Sequence, residues 1–158
     1  GVAFSPRVSL LLPTGDVDEG RGSGAVGLQI NLPLSIELAP RWVAHTNAGL
    51  TWTPDAENAF GDQADTLSSS VGQSLVWLAH PKFNVLVEAV YANEQIPIGL
   101  GRTGHEPSFV VSPGLRGAWD FASGLQVVPG IAFPIGVGPS SGENGVFLYL
   151  SFEHPFGQ

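Results

Sequence analysis

The stretch Ala25-Val26-Gly27-Leu28-Gln29-Ile30-Asn31-Leu32-Pro33-Leu34 decides the fold. Every even position is apolar, and the odd positions are small or polar. Side chains alternate across a β-strand with period two, so this is a strand with one apolar face. The same rule, carried outward along the chain, predicts eight strands over residues 4–13, 25–34, 40–53, 67–78, 83–92, 108–120, 125–137 and 146–156. In the third, Trp42, Ala44, Ala48, Leu50 and Trp52 oppose Arg41, His45, Asn47 and Thr51. The stretch 67–78 is the least regular, because Gln73 falls on its more apolar side. Pro113, Pro129 and Pro134 fall inside predicted strands, where each removes a ladder donor and marks a bulge or an end.

The connections alternate as well. Residues 14–24, 54–66, 93–106 and 138–145 read as long, polar or Gly-rich loops, and 35–39, 79–82 and 121–124 as tight links. An up-and-down antiparallel sheet with its large loops at one end has this order, and outer-membrane barrels sort their loops in this way.

Composition narrows the choice. The chain has 158 residues, so a single domain over 1–158 is expected. Charged residues are 13%, against about 25% in a typical soluble domain. With no Cys there is neither a disulfide framework nor a thiolate metal site. Net charge is −8 with no basic cluster, which argues against nucleic acid as a partner. No apolar run approaches the roughly 20 residues of a membrane helix, so a membrane crossing would use strands. Lacking Met, the chain reads as a mature or trimmed product.

Two patterns favour an antiparallel up-and-down transmembrane β-barrel over a soluble sheet. Trp42 and Trp52 share a face ten residues apart, roughly 33 Å along a strand, which a tilt near 40° projects to roughly 25 Å. That is the height of the apolar band between two aromatic girdles. Trp42, Trp52, Trp77, Phe83, Tyr91, Phe109, Trp119 and Phe156 are the girdle candidates. The polar positions of the strands hold Ser, Asn, Gln, Gly and Ala, while ten of the fourteen acids fall in the predicted long loops.

Six charges share the polar parity: Arg7, Arg41, Arg116, Glu88, Asp120 and Glu153. A charge facing lipid costs up to about 2–4 kcal/mol, so this shared parity points to an interior. With His45 and Asn47 they are the lumen-lining candidates. Glu88 stands five residues after Phe83 and Arg116 five before Phe121, which predicts a lumenal Glu88–Arg116 pair. Glu153 meets Arg7 only if the last strand pairs with the first.

The segment Leu10-Leu11-Leu12-Pro13-Thr14-Gly15-Asp16, the following Gly22-Ser23-Gly24 and the stretch His45-Thr46-Asn47-Ala48-Gly49-Leu50 resemble a family of outer-membrane barrels described as transporters of the phenol meta-degradation pathway. The resemblance runs on to Ser151-Phe152-Glu153-His154-Pro155-Phe156. It implies a channel for small, often hydrophobic compounds. Members are usually longer, which implies that this chain corresponds to the C-terminal part of a larger barrel. Phe156 with Phe152, Leu150 and Leu148 resembles the C-terminal signal that the barrel assembly machinery reads.

Other motifs carry less. Gly22-x-Gly24-x-x-Gly27 matches a dinucleotide fingerprint, but an alternating strand follows where a helix is needed. Asp16-x-Asp18-Glu19 lacks the remaining spacing of a calcium loop and reads as solvated carboxylates. His45, Asn47, Ser68 and Ser70 point inward on neighbouring strands, as a Ser–His site would require, and as polar lumen residues do in any case. His80, His105 and His154 lie far apart in the predicted topology, so no metal site is expected. The expectation is a passive outer-membrane channel of a Gram-negative bacterium with no cofactor and no catalytic residue. Its partners are membrane lipid, the assembly machinery and a small solute. Two alternatives stand beside it: a soluble β-barrel or sandwich binding an apolar ligand, separated by solubility without detergent, and a structural barrel with no open pore, separated by conductance.

Overall fold

A computed structural model describes residues 1–99 and 101–154. It is all-β: a single antiparallel up-and-down sheet of eleven strands. The strands are β1 Val2–Phe4, β2 Arg7–Leu11, β3 Gly27–Ala39, β4 Trp42–Glu57, β5 Gln63–His80, β6 Phe83–Pro97, β7 Thr103–Gly117, β8 Trp119–Asp120, β9 Gln126–Ala132, β10 Ile135–Gly136 and β11 Phe147–Glu153. Each long strand pairs with its neighbours in chain order, from β3 through β4, β5, β6 and β7 to β9.

Eleven segments replace eight predicted strands because three of the eight are interrupted. Ser5-Pro6 separates β1 from β2, and both lie along β3. Ala118 separates β7 from β8, and Phe133-Pro134 separates β9 from β10. Pro6 and Pro134 have no N–H to offer the ladder, which accounts for two of the breaks. Pro113 and Pro129 instead sit within β7 and β9.

Two of the four predicted long loops contract. β4 and β5 run on past Thr53 and Thr66 as a hairpin joined at 58–62, and β6 and β7 run on to a connection at 98–102. Asp55, Glu57, Asp65, Glu94 and Glu106 therefore stand on strands and not in loops. A register shift between Thr53 and Ala56 marks a bulge, and Asp55 within it takes a positive φ of 48° while its N–H donates to Asp65 Oδ1 at 2.9 Å. The segments 12–26 and 137–146 remain long connections, the latter with a short 3-10 turn at Gly138–Ser140. At the other end the turns Pro40-Arg41 and Pro81-Lys82 are tight.

The faces follow the predicted parity. Cross-strand partners share a face, and the register aligns Leu28 with Trp52 and Leu67, then Ile30 with Leu50 and Ser69, on one side. Gln29, Thr51 and Ser68 align on the other, as do Asn31, Gly49 and Ser70. The apolar side is the exposed one: Leu32 is 43% exposed and Leu50 51%. On the polar side Asn31 is 8% exposed, Thr53 6% and Thr66 7%. Among the described residues the buried apolar side chains are Ala56, Ala64, Val76, Pro97 and Val128, and no large side chain is fully buried. Among the described residues the sheet has no apolar core, although apolar residues are 43% of the chain.

The edges are β1 with β2 on one side and β11 on the other. Among the described residues they are not hydrogen-bonded to each other, so the sheet is not closed and Arg7 and Glu153 do not pair.

Candidate functional site

The polar face gathers its functional side chains from five adjacent strands. β3 contributes Gln29, Asn31 and Ser35, and β4 contributes His45, Asn47 and Thr51. β5 adds Ser68, Ser70 and Ser74, β6 adds Glu88 and Glu94, and β7 adds Ser112 and Arg116. Strand pleating alone aims them to one side, since they stand at alternate positions in register.

A chain of amides crosses this face. Asn47 Nδ2 donates to Asn31 Oδ1 at 3.2 Å, Asn31 Nδ2 to Gln29 Oε1 at 2.9 Å, and Gln29 Nε2 to Thr51 Oγ1 at 3.1 Å. Asn47 Oδ1 is buried without a hydrogen-bond partner. Gly49 makes room for the chain: a Cβ there would lie 2.8 Å from Ser70 Oγ and 2.9 Å from Asn31 Oδ1.

Cavities line the same face. One of about 350 Å3 is bounded by Ser35, His45, Asn47, Ser70, Gly72, Ser74, Glu88 and Val90. A second, about 290 Å3, is bounded by Leu86, Glu88, Ser112, Arg116, Phe147 and Tyr149. Glu88 belongs to both. A smaller one of about 150 Å3 lies toward the long connections, beside Gln29, Thr51, Ser68 and Glu94. One of about 230 Å3 lies toward the tight turns, beside Asn84, Arg116, Gln126 and Glu153.

Seven of the eight lumen candidates stand at polar-face positions: Arg7, His45, Asn47, Glu88, Arg116, Asp120 and Glu153. Arg41 does not. It sits in the Pro40-Arg41 turn, donates from Nε to the Leu78 carbonyl at 3.0 Å and from its other end to the Ala79 carbonyl, and holds its guanidinium 5.9 Å from the Trp77 ring centre. The strand it was assigned to begins one residue later, so parity does not reach it.

The Glu88–Arg116 pair does not form. Glu88 faces Ser74 and Ser112, while Arg116 faces Asn84, four residues or about 13 Å nearer the turns. Phe83 lies opposite Gly117 and not Phe121, and equal spacing from two aromatics is no measure of register. His45 Nδ1 is hydrogen-bonded to Ser35 Oγ at 2.8 Å, and Ser68 Oγ accepts from the Gln95 N–H at 3.0 Å. His45 therefore partners neither Ser68 nor Ser70. At the turn end, Asp120 accepts from Gln126 Nε2 at 2.6 Å and lies 3.5 Å from Lys82 Nζ. The Gln126 hydrogen bond first, and the Lys82 charge after it, hold the Asp120 carboxyl below its ordinary value.

Of the girdle candidates, Trp42, Trp52, Trp77, Phe83, Tyr91, Phe109 and Trp119 stand at apolar-face positions, and Phe156 lies outside the described residues. Trp42 and Trp77 are cross-strand partners and stack at 6.0 Å with 16° between planes. Trp42, Trp77, Phe83 and Trp119 stand toward the tight turns, and Trp52, Tyr91 and Phe109 toward the long connections. Gln73 does fall on this face, where Thr46 Oγ1 donates to its Oε1 at 2.6 Å and its Nε2 donates to the His45 and Ser74 carbonyls. The amide is satisfied within the sheet, so its place on an apolar face leaves no bare donor.

Sequence reasoning missed Gln29 and Asn31, although they occupy the odd positions of the deciding stretch. It also missed Phe147 and Tyr149. Tyr149 faces Gly130 across the ladder, where a Cβ would lie 3.4 Å from Tyr149 Cβ. An aromatic side chain opposite a strand glycine is the signal that would have found it.

No protein-family model, curated protein or solved structure matches the chain.

Proposed function

We propose that this chain forms the wall of an outer-membrane β-barrel of a Gram-negative bacterium, through which small solutes pass without an energy source or a catalytic step. One observation carries the reading: the sheet exposes its apolar face and shelters its polar one. In water, an exposed face of Leu, Val, Ile and Trp spanning the sheet is an aggregation hazard; against lipid it is the required surface. The absence of an apolar core among the described residues supports the same reading, as do aromatic positions near both ends of the apolar face. Closure of the wall needs its two edges, β2 and β11, paired, because open edges are not tolerated in lipid. Leu148, Leu150, Phe152 and Phe156 at the C-terminal end resemble the signal that the barrel assembly machinery reads. Small, hydrophobic or aromatic solutes are the class that the family resemblance implies.

Phe147 and Tyr149 favour a second reading, since two aromatics on the polar face narrow the space inside and would suit a structural barrel with no open pore. One experiment addresses both. The chain is refolded in detergent, run unboiled and boiled on a gel, and reconstituted into vesicles loaded with a small dye. A faster unboiled band with dye efflux is the expected result. A faster band without efflux overturns the channel and leaves the structural barrel; an unshifted band from protein soluble without detergent overturns both.

A further inference from the structure

We propose that the groove on the polar face between β6 and β11 binds an aliphatic ω-amino acid. Its ammonium sits at Glu88, its carboxylate at Arg116, and its carbon chain along the apolar surface between them. The site rests on the lumen reading above, because a solute must reach the polar face.

Glu88 and Arg116 border one cavity of about 290 Å3. They carry opposite charges, and among the described residues neither side chain makes a hydrogen bond or an ion pair. The ladder keeps them apart: Glu88 stands opposite Ser112, and Arg116 lies four residues further along β7, about 13 Å nearer the turns. Both side chains are exposed, so a solute on this face reaches both.

The surface between the two charges is apolar. The row that separates them runs Leu86, Gly114, Ala132 and Phe147, and the row of Arg116 continues through Gly130 to Tyr149. The two strand glycines let large side chains lie down on the sheet. A Cβ at Gly114 would come within 3.3 Å of Leu86 Cδ1, and one at Gly130 within 3.6 Å of Tyr149 Cδ1. Leu86 on β6 and Phe147 and Tyr149 on β11 therefore wall a groove that has a carboxylate at one end and a guanidinium at the other.

This layout selects the ligand. An ammonium donates to a carboxylate, and a guanidinium donates to a carboxylate, so a zwitterion makes a charge-assisted hydrogen bond at each end. A singly charged solute engages one end and leaves the other unused. An α-amino acid carries both charges on one carbon, too close together to cross the Leu86 row. An ω-amino acid separates them by a chain that the apolar side chains cover. A volume of about 290 Å3 lies at the small end of small-molecule sites, which suits a chain of about five methylenes.

The test titrates 6-aminohexanoate calorimetrically into the chain refolded in non-ionic detergent, with protein-free micelles as the blank. The controls are 6-acetamidohexanoate and 6-aminohexanamide, each with one charge removed, and glycine, whose charges lie close together. Each sample is first run unboiled on a gel. The expected result is saturable binding of 6-aminohexanoate about tenfold tighter than any control, the worth of one charge-assisted hydrogen bond. In Arg116→Gln its affinity should fall to that of 6-aminohexanamide, and in Glu88→Gln to that of 6-acetamidohexanoate, with the compact band kept. A shifted band with 6-aminohexanoate binding no tighter than the controls overturns the site alone, as does undiminished binding in either variant. An unshifted band from the unmodified chain overturns the barrel reading and the site with it.

Discussion

The two faces of β3 differ more than any two elements of the molecule, though they are cut from one stretch of chain. Leu28, Ile30 and Leu32 point one way and are about two-fifths exposed; Asn31, between two of them, is 8% exposed. In a water-soluble sheet the order is reversed, because burial of apolar area is the driving term. Here most of the sheltered amides are hydrogen-bonded to one another, and among the described residues no second layer of the chain covers the apolar groups. Such a sheet needs something to cover its apolar face, and on the proposed reading that cover is lipid.

Putting the same charge on each face breaks this comparison most strongly. Val71 is 51% exposed, a position where Arg would cost within about 0.5 kcal/mol in a soluble protein. On a lipid-facing wall Val71→Arg should cost about 2–4 kcal/mol, read as a fall in the urea midpoint of the refolded protein. Ser108→Arg on the polar face should change that midpoint little. Equal effects would remove the distinction between the faces.

The next test stays within the polar face. A Cβ at Gly49 would crowd Ser70 Oγ and Asn31 Oδ1, so Gly49→Ala should cost about 1–3 kcal/mol by disturbing the amide chain. Gly72→Ala meets ordinary van der Waals contact and should be neutral or slightly stabilising, since Ala suits a strand better than Gly. If both prove neutral, the polar face is looser than its hydrogen bonds imply.

On the apolar face, Trp77→Leu removes the Trp42 stack and the ring beneath Arg41. The expected loss is about 1 kcal/mol beyond the change in area, with the double variant Trp42→Leu/Trp77→Leu costing less than the sum of the two. Strict additivity would mean the stack contributes nothing.

The smallest effect belongs to Asp120, the last residue of β8 before the turn at 121–125. Its carboxyl is held below the ordinary 3.8, so the folded state binds its proton less readily than the unfolded chain. The stabilisation is then fully present above that value and lost as pH falls through the lower folded one. Melting midpoints of the unmodified chain and Asp120→Asn should differ slightly at pH 6 and converge on acidification through the folded value; a gap that widens on acidification would reverse the assigned sign. The group is exposed, so the difference will be small.

Alternation made the faces legible from the sequence, because period two is a local property: Gln29 and Asn31 declare their side without knowledge of any neighbour. Register was not legible. Glu88 and Arg116 share a face, yet the pairing of Phe83 with Gly117 depends on hydrogen bonds between strands and holds the two charges apart. Strand ends were misread for a related reason. Residues 54–57, 63–66, 93–97 and 103–107 have the composition of loops, but the ladder continues through them because a hairpin needs only backbone partners. Arg41 shows the limit of parity itself, since a turn begins where the alternation still looks intact. The unpartnered oxygen of Asn47 was beyond reach, because it depends on which of its two amide atoms Asn31 engages.

The most direct measurement uses a property the chain already has. All four tryptophans, Trp42, Trp52, Trp77 and Trp119, occupy the apolar face. The unmodified chain, refolded into vesicles of phosphatidylcholine brominated along its acyl chains, should lose most of its tryptophan fluorescence relative to unbrominated vesicles, and aqueous acrylamide should quench it weakly. Fluorescence indifferent to bromine and strongly quenched by acrylamide would place the apolar face in water and contradict the account.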